Sequence, residues 1–417
     1  MSSTRRPLRA ALACVASGVL CTSAAAQTAP AFPVLLKQAQ AAAPRLSLGA
    51  AETRAAEGLA LQAATRPNPT LGLMVENAAG TGPYKDFDSA ETTLSIEQPL
   101  ELGGKRAART SAAQADLAAA QARAALGQVD FARDLALAYA NAEAAQQRLA
   151  IARDSVDLAQ ADAKATHLLV DNGKEAQVRA IQADAGLATA RADLAAAQAE
   201  AEAALGRLSA LTGSPETYSA VTGGLLDAAP PTPPTPSTGP AFSPAIAAAR
   251  AERAAAERRV VLERTRRVPD LAVSFGVRQF QSDDSTAAVF GVSAPLPLFD
   301  RNRGAVAAAT ANAQAAQARL AMAQAEQDGD RRAASAQVAA AGQTLDASRQ
   351  AEDAASEAYR LARIGYDAGR LPLSEVLAAR RDLIAARGRA VDTKLARVKA
   401  LADLARAQGR IPFGDQP

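Results

Sequence analysis

Two short stretches of alternating apolar and polar residues, set between long Ala-rich runs, constrain the fold of this chain most strongly. The first lies at residues 69–102 and surrounds a polar, Gly-rich loop, and the second, at residues 269–299, follows the same plan. A period of two is typical of a β-strand with one apolar and one polar face. Each stretch is therefore predicted to form a β-hairpin between helices.

The Ala-rich runs predict long helices. A first helix is expected over about residues 34–65, with an interruption at Pro44, and a return helix over about residues 176–211. Between the first hairpin and the return helix, residues 104–170 contain no proline and almost no glycine. At 1.5 Å of rise per residue this central helix is about 100 Å long.

The order of helix, hairpin, long helix, turn and return helix occurs twice. Pro69 recurs as Pro269 at an offset of 200, and the turn at 170–174 recurs at 366–370 at an offset of 196. Offsets that hold over most of the chain indicate an internal duplication. The change from 200 to 196 predicts that the second hairpin loop is four residues shorter than the first.

The duplication predicts how the chain is divided. Helical turns are expected at 171–175 and 367–372, opposite the hairpins. The predicted parts are a signal peptide at 1–26, a first repeat at 27–213, a Pro-rich linker at 214–240, a second repeat at 241–410 and a tail at 411–417.

The first 26 residues are typical of a secretory signal, with a positively charged start, an apolar run and small residues up to a cleavage site after Ala26. The alternative, an N-terminal membrane anchor, is disfavoured because the apolar run is too short to span a bilayer. Cys14 and Cys21 are the only cysteines. Lipid attachment at Cys21 is disfavoured by the large Leu20 before it, and a cut after Ala26 leaves a mature chain without cysteine.

No other run approaches the roughly 20 apolar residues of a transmembrane helix. An exported chain of this kind that crosses a membrane would therefore cross it with strands. Two hairpins alone leave unpaired edges, which lipid does not tolerate because every backbone N–H and C=O there needs a partner. The strands are therefore predicted to be shared among several copies of the chain in a closed oligomer.

The composition argues against nucleic-acid partners and against catalysis. The formal net charge is +3 and aromatic residues make up 3% of the chain, so there is no basic stripe with stacking aromatics. The single histidine, His167, has no nucleophile or carboxylate dyad to act with. A metal site of His167 with Asp171 is only a weak hypothesis, and we predict no enzyme activity, no cofactor and no resident metal.

Four strings at matched positions of the two repeats resemble a known family. They are NPTLGLMVEN, ETTLSIEQPLELGGKRAAR, PDLAVSFGVRQF and GVSAPLPLFDRNRG. They are similar to the TolC-type outer-membrane factors, the exit ducts of tripartite efflux pumps in Gram-negative bacteria. Within that family they are most similar to the CzcC-like branch, which works with heavy-metal pumps of the RND type.

The resemblance implies a mainly α fold with transmembrane β structure. Long helical hairpins would form a trimeric α-barrel in the periplasm, and each protomer would give four strands to a shared 12-stranded β-barrel in the outer membrane. The implied partners are two further copies of the chain, a periplasmic adaptor, an inner-membrane RND pump and outer-membrane lipid. The implied cargo is a divalent cation of the cobalt, zinc, cadmium, nickel or copper class.

The resemblance also implies roles for residues of the two helical turns, which would form the periplasmic tip where the adaptor docks and the channel closes. The candidates for adaptor docking are Gly173, Lys174, Gly369 and Arg370. The simpler interpretation is that the glycines only reverse the chain as helix C-caps.

Glu375 matches the first of two acidic residues that ring the entrance of the family's type member, whereas Ala378 replaces the second. Arg179 occupies the equivalent position in the first repeat, so a Glu375–Arg179 pair between neighbouring hairpins is a second hypothesis. The alternative is that Glu375 is an ordinary exposed side chain.

Four further residues are expected at the transition from strand to helix. Proline is tolerated where a strand leaves a sheet, and glycine allows the tight passage into the next helix. The four are Pro99, Gly103, Gly104 and Pro295.

Two other functions remain as alternatives. One keeps the fold but exports drugs or proteins, since the inner-membrane pump selects the cargo. The other is a periplasmic adaptor or structural coiled-coil protein, which is disfavoured because an adaptor usually has one helical hairpin and lipoyl-like β segments.

Overall fold

A computed structural model describes residues 27–228 and 243–414. The predicted signal peptide with its two cysteines, the Pro-rich residues 229–242 and the last three residues lie outside the described residues.

The first repeat contains two long helices and one hairpin. Short elements at its two ends pack together in a common core. Its elements are β1 (Thr28–Ala29), α1 (Phe32–Ala42), α2 (Pro44–Ala64), β2 (Thr70–Glu76), a 3₁₀ turn (Gly82–Tyr84), β3 (Glu91–Leu100), α3 (Lys105–Asp171), α4 (Gln177–Thr212) and β4 (Ala220–Val221).

The second repeat has the same order of helices and strands. Its elements are α5 (Pro244–Thr265), β5 (Leu271–Phe280), β6 (Ser285–Ser293), α6 (Arg303–Asp367) and α7 (Leu373–Ala407). The predicted succession of helices and hairpins is therefore observed in both halves of the chain.

The helices lie side by side rather than around a deep core. Nearer the strands their lateral order is α2, α3, α5, α6, and nearer the helical turns it is α4, α3, α7, α6. The 67 residues of α3 correspond to about 100 Å, so α3 takes part in both layers. Buried alanines such as Ala132, Ala136 and Ala140 allow the helices to approach closely.

The four long strands form one antiparallel sheet in the order β2, β3, β5, β6. Leu71 lies opposite Ile96, which lies opposite Phe275 and, one strand further, Phe290. All four side chains are exposed, so this face of the sheet is an apolar surface that the protomer does not cover. Both β2 and β6 have an unpaired outer edge within the described residues.

The residues directly before and after this row point to the other face of the sheet, which is more polar. Arg278 donates hydrogen bonds to Glu91 at 2.8 Å, to Glu76 at 2.9 Å and to Thr93 Oγ1 at 2.9 Å. These contacts connect three adjacent strands across the face opposite the apolar one. None of the helices in residues 27–228 and 243–414 combines the length and hydropathy needed to cross a bilayer.

The main hydrophobic core surrounds the middle of α3. Phe131, Leu135 and Tyr139 are fully buried there, and the ring of Phe32 from α1 meets Tyr139 edge-on at 5.9 Å between centroids. Burial of Tyr139 raises the pKa of its hydroxyl, an effect that the backbone hydrogen bond to Gly223 opposes.

Residues 214–228 belong to this core and not to a linker. Tyr218, Leu225 and Leu226 are buried in it, and β4 pairs in parallel with β1. The predicted linker at 214–240 therefore began too early. The Pro-rich composition that defined the linker starts only at residue 230.

A buried carboxylate holds this segment in place. Glu143 is 5% exposed, and its carboxylate accepts hydrogen bonds from the backbone N–H groups of Gly224, Leu225 and Leu226 at 2.8, 3.0 and 3.2 Å. Three donors aimed at one carboxylate compensate for taking its charge out of water.

The two hairpin loops differ in length by more than the sequence predicted. The first loop spans 77–90 and the second only 281–284 because β5 and β6 pair further toward the tip. The second loop is thus ten residues shorter and not four as predicted, because part of the segment that was expected in the loop is paired in β5 and β6. The long helices, with 67 residues in α3 and 65 in α6, end at the same offset of 196.

We expect Glu143→Ala to lower the free energy of unfolding by about 2–4 kcal/mol, because three buried N–H groups lose their acceptor. Chemical denaturation of the detergent-solubilised protein, followed by helical circular dichroism, measures this change. Glu202→Ala, at an exposed position of α4, is the matched control and should stay within about 0.5 kcal/mol of the parent. Equal effects of both substitutions would contradict the role of Glu143.

Candidate functional site

The turn between α3 and α4 has the hydrogen bonds of a Schellman cap. Gly173 has a left-handed φ of +68°, and its N–H donates to the carbonyl of Val170 at 2.9 Å. The N–H of Lys174 reaches back to the carbonyl of Leu169, also at 2.9 Å. The left-handed residue satisfies the end of α3 and leaves the Lys174 side chain exposed at the tip.

The turn between α6 and α7 repeats this geometry. Gly369 has a φ of +70° and donates to the carbonyl of Tyr366 at 2.8 Å, while Arg370 donates to the carbonyl of Gly365 at 2.8 Å. Both tips therefore present an exposed cation directly after the glycine. The structure places these four predicted tip residues at equivalent positions of the two hairpins.

Glu375 lies in the first turn of α7, where a carboxylate is favourable because it faces the positive end of the helix dipole. Its side chain is exposed and borders a groove between α6 and α7 together with Leu361, Leu371 and Ala378. The favourable position at the start of α7 is enough to account for a carboxylate at residue 375, without any role in the channel.

The hypothesis of a Glu375–Arg179 pair is wrong for the protomer. Arg179 donates to Gln182 Oε1 at 3.3 Å, and no ion pair of Glu375 occurs in the described part of the chain. The reason is the order of the helices, since α3 lies between α4 and α7.

A buried ion pair between the two hairpins was not predicted from the sequence. Arg380 of α7 is 9% exposed, and its Nη1 lies 2.5 Å from Oδ2 of Asp162 on α3. Burial raises the pKa of the Asp162 carboxyl, while the positive charges of Arg380 and Arg363 oppose that rise. This pair joins the two hairpins about three helical turns above the tips.

Tyr366 lies in the same polar region. Its hydroxyl is buried without a hydrogen-bond partner among the described residues. Burial raises the pKa of this hydroxyl, and the carboxylates of Glu175, Asp162 and Asp367 raise it further. The hydroxyl is therefore neutral and acts as a donor for whatever acceptor reaches it.

Two further cations of α7 follow Arg380 at intervals of seven residues. Arg387 lies 3.6 Å from Asp154 of α3, and Lys394 lies 2.9 Å from Asp227 after β4. A seven-residue spacing keeps side chains on one face of a helix. This spacing is a sequence signal that would have indicated the polar seam between the hairpins.

His167 pairs with a different carboxylate from the one that the sequence suggested. Its Nε2 lies 3.0 Å from Oδ1 of Asp184 on α4, and not beside Asp171. Within residues 27–228 and 243–414, no group of three or more His, Cys, Asp or Glu is arranged to hold a metal ion. The hypothesis of a His167–Asp171 site was therefore wrong.

The passage from the sheet to the first long helix requires glycine. Gly103 has a φ of +67°, and a Cβ there would lie 2.7 Å from Val268 Cγ2. Gly104 is the left-handed N-cap of α3. Pro99 is the second-last residue of β3 and lies past Glu97, the last residue that β2 pairs.

The second transition uses asparagine in place of glycine. Asn302 caps α6 with a φ of +52°, and its side chain donates to the carbonyl of Glu263 at 2.8 Å. Pro295 lies beyond the end of β6 at Ser293. The predicted hairpin at 269–299 therefore extended past the strand, which ends at Ser293.

Comparison with known proteins gives concordant results. The profile of the family described as "Outer membrane efflux protein" matches residues 35–214 and 241–410. The nickel and cobalt resistance protein CnrC of Cupriavidus metallidurans is 46% identical over 93% of this chain and 92% of the relative. The nickel-cobalt-cadmium resistance protein NccC of Alcaligenes xylosoxydans xylosoxydans is 42% identical over 93% of this chain and 88% of the relative.

The fold is similar to that of a solved outer membrane channel. The crystal structure of CmeC from Campylobacter jejuni superimposes with a TM-score of 0.79 at 17% identity and covers 93% of this chain and 87% of that one. At this identity the likeness shows a common fold.

Arg380→Gln is expected to lower the free energy of unfolding by about 3 kcal/mol, because the largely buried Asp162 carboxylate loses its hydrogen-bonded counter-ion. Denaturant titration of the parent and the variant measures the loss. Arg387→Gln is the matched control seven residues further along α7; its partner Asp154 is largely exposed, so we expect less than about 1 kcal/mol.

The double variant Asp162→Asn/Arg380→Gln removes both charges and should recover part of the loss. Equal losses for Arg380→Gln and Arg387→Gln would contradict a buried pair.

Proposed function

Because this chain belongs to the outer membrane efflux protein family, we propose that it is the outer-membrane duct through which a tripartite RND pump expels divalent heavy-metal cations. The observation that carries this proposal is the near end-to-end similarity to CnrC and NccC, whose names assign them to nickel, cobalt and cadmium resistance. The predicted family and the predicted TolC-like fold are confirmed. The duct is a passive conduit, and its family consists of outer-membrane efflux channels.

A trimer is the proposed working form. The four-stranded sheet has free edges at β2 and β6, and an apolar face toward lipid makes such edges untenable unless another copy pairs with them. Three copies would supply the 12 strands that the family resemblance implies. The lateral helix order supports the same closure, since α6 forms one flank in both layers while α2 and α4 form the other.

Side-chain chemistry supports an orientation for the sheet. The apolar face with Phe275 and Phe290 is proposed to meet lipid, and the face with Arg278, Glu76 and Glu91 is proposed to line the water-filled duct. Alternation of apolar and polar residues on the two faces is typical of strands in outer-membrane channels. The helices would then lie in the periplasm, after export by the predicted signal peptide.

The helical tips are the proposed docking surface for the periplasmic adaptor. Lys174 and Arg370 are exposed and occupy equivalent positions of the two Schellman caps. A trimer would thus present six similar tips, each with a cation after a rigid glycine. Such a surface suits an adaptor that binds both hairpins in a similar manner.

The cation cargo is not bound tightly on its way out. A conduit must release each ion, so it needs a water-filled path with weak interactions and not a closed ligand shell. Carboxylates at the entrance, such as Glu375, would attract cations without holding them. Selection of the metal is then left to the inner-membrane pump.

Deleting the gene from its host is expected to lower the nickel, cobalt, zinc or cadmium concentration that stops growth, because the pump loses its exit. Growth assays across these salts and a set of antibiotics measure the effect, with plasmid-borne wild type as the control for rescue. Sensitivity to antibiotics with unchanged metal tolerance would favour drug export and overturn the proposed cargo.

Glu375→Gln is expected to reduce the preference for cations over anions in planar-bilayer recordings, because three carboxylates around a narrow entrance concentrate cations. Asp382→Asn is the matched control. It removes the same charge about 10 Å further along α7, roughly one Debye length at 0.1 M salt.

Arg179→Ala should leave the selectivity unchanged, because α3 separates Arg179 from Glu375. Unchanged selectivity in Glu375→Gln would show that Glu375 serves only the start of α7.

A further inference from the structure

We propose that the junction between the sheet and the long helices is a binding surface for anionic phospholipid headgroups, on the helical side of the membrane. This inference rests on the proposed membrane orientation of the sheet. The surface is a group of five arginines, named here the basic collar. Its members are Arg66, Arg264, Arg267, Arg301 and Arg303.

The junction carries a large excess of positive charge. Residue 66 and the segments 101–109, 263–270 and 300–303 contain nine Arg or Lys and four Asp or Glu. Local positive charge of this size is unusual in a chain whose formal net charge is only +3.

Three of the four acidic residues of the junction pair with cations that are not members of the collar. Glu101 bonds to Arg109, and Asp270 lies 2.8 Å from Lys105. Glu263 pairs with Arg266 at 2.8 Å.

The fourth acid, Asp300, accepts a hydrogen bond from the N–H of Asn302 at 2.8 Å. Asp300 is exposed and offsets at most one positive charge, so the five arginines of the basic collar keep a clear positive excess.

The five collar arginines are exposed, and none makes an ion pair or side-chain hydrogen bond within the described residues. They come from the ends of three helices, since Arg66 follows α2, Arg264 and Arg267 lie at the end of α5, and Arg303 begins α6. A guanidinium offers a planar fork of donors that matches phosphate oxygens. The collar is therefore a set of free phosphate-binding groups at one level of the molecule.

An apolar surface lies directly beside the collar. Leu296, Leu298 and Phe299 are 77%, 66% and 99% exposed, and only Asp300 separates them from Arg301. They continue the lipid-facing band of β6, where Phe290 and Val292 are 76% and 72% exposed. Bare apolar side chains followed by unpaired arginines are the arrangement that fits acyl chains next to a layer of phosphates.

Charge complementarity selects anionic phospholipid as the occupant. Each Arg or Lys close to an anionic leaflet raises the affinity for it by about fivefold at low ionic strength. Zwitterionic headgroups offer no such net attraction. A neighbouring copy of the chain would approach with its α2 flank, which ends just before Arg66. It would therefore cover the apolar part of the surface but add positive charge instead of compensating it.

The first experiment compares lipid binding by the delipidated trimer in native mass spectrometry. We expect phosphatidylglycerol to bind at least tenfold more tightly than phosphatidylcholine. Arg301→Gln/Arg303→Gln should weaken phosphatidylglycerol binding by roughly 25-fold, about fivefold for each arginine, and leave phosphatidylcholine binding unchanged. The matched control, Arg319→Gln/Arg349→Gln, removes the same charge from exposed positions further along α6 and should bind as the parent does.

Equal weakening in the collar and control variants would mean that net charge alone attracts lipid, and would overturn the proposal. Unchanged lipid binding with altered ion selectivity in the collar variant would place the arginines in the duct and also overturn it. Metal tolerance is measured separately in the deletion strain. If the deletion strain keeps its metal tolerance, the proposed cargo is wrong, but the lipid-binding result still stands.

The second experiment uses the absence of tryptophan from the sequence. Phe299→Trp introduces a single fluorophore, which lipids brominated on the acyl chains near the headgroup should quench in reconstituted vesicles. Tyr84→Trp in the hairpin loop is the matched single-tryptophan control and should not be quenched. Protection of the Phe299→Trp fluorophore would show that a second copy covers this surface, and would overturn the lipid assignment.

Discussion

Backbone pairing at the two free edges of the sheet is the constraint on which the rest of the structure depends. β2 and β6 each leave a row of N–H and C=O groups without partners among the residues that the structure describes, and an apolar environment makes each such group costly. The flanking helices α2 and α6 extend from these same edges, so any copy that pairs with the strands also meets the helices. A copy that closed the sheet would therefore close the helical layer at the same time.

The middle of the molecule is stabilised differently from its two ends. Around Tyr139 the chain has a true hydrophobic core, and Glu143 fixes the segment that leads into the linker. Toward the tips the hairpins meet through small side chains and ion pairs, of which only Asp162–Arg380 is largely buried in the described part of the chain. The most densely packed contacts therefore lie around the middle of α3, and the contacts toward the tips are weaker.

The sequence predicted the parts of the fold whose signals are local and periodic. The hairpins, the long helices and the glycine turns follow from alternation, Ala content and the offset between repeats. The folding of residues 214–228 was missed because two-residue strands have no detectable period, and their burial depends on contacts with α1 and α3. The site predictions had the same limit, since the Glu375–Arg179 hypothesis required a helix order that no local pattern contains.

The seven-residue spacing of Arg380, Arg387 and Lys394 has a mechanical consequence. A heptad row drifts by about 20° per repeat on a straight α-helix, and the partner changes along this row. Arg380 and Arg387 meet carboxylates of α3, whereas Lys394 meets Asp227 after β4. The row therefore connects α7 both to the first hairpin near the tips and to the segment that leads into the linker. Rotation of α7 about its own axis would break ion pairs at both levels at once, so we expect α7 to move together with the core and not independently of it.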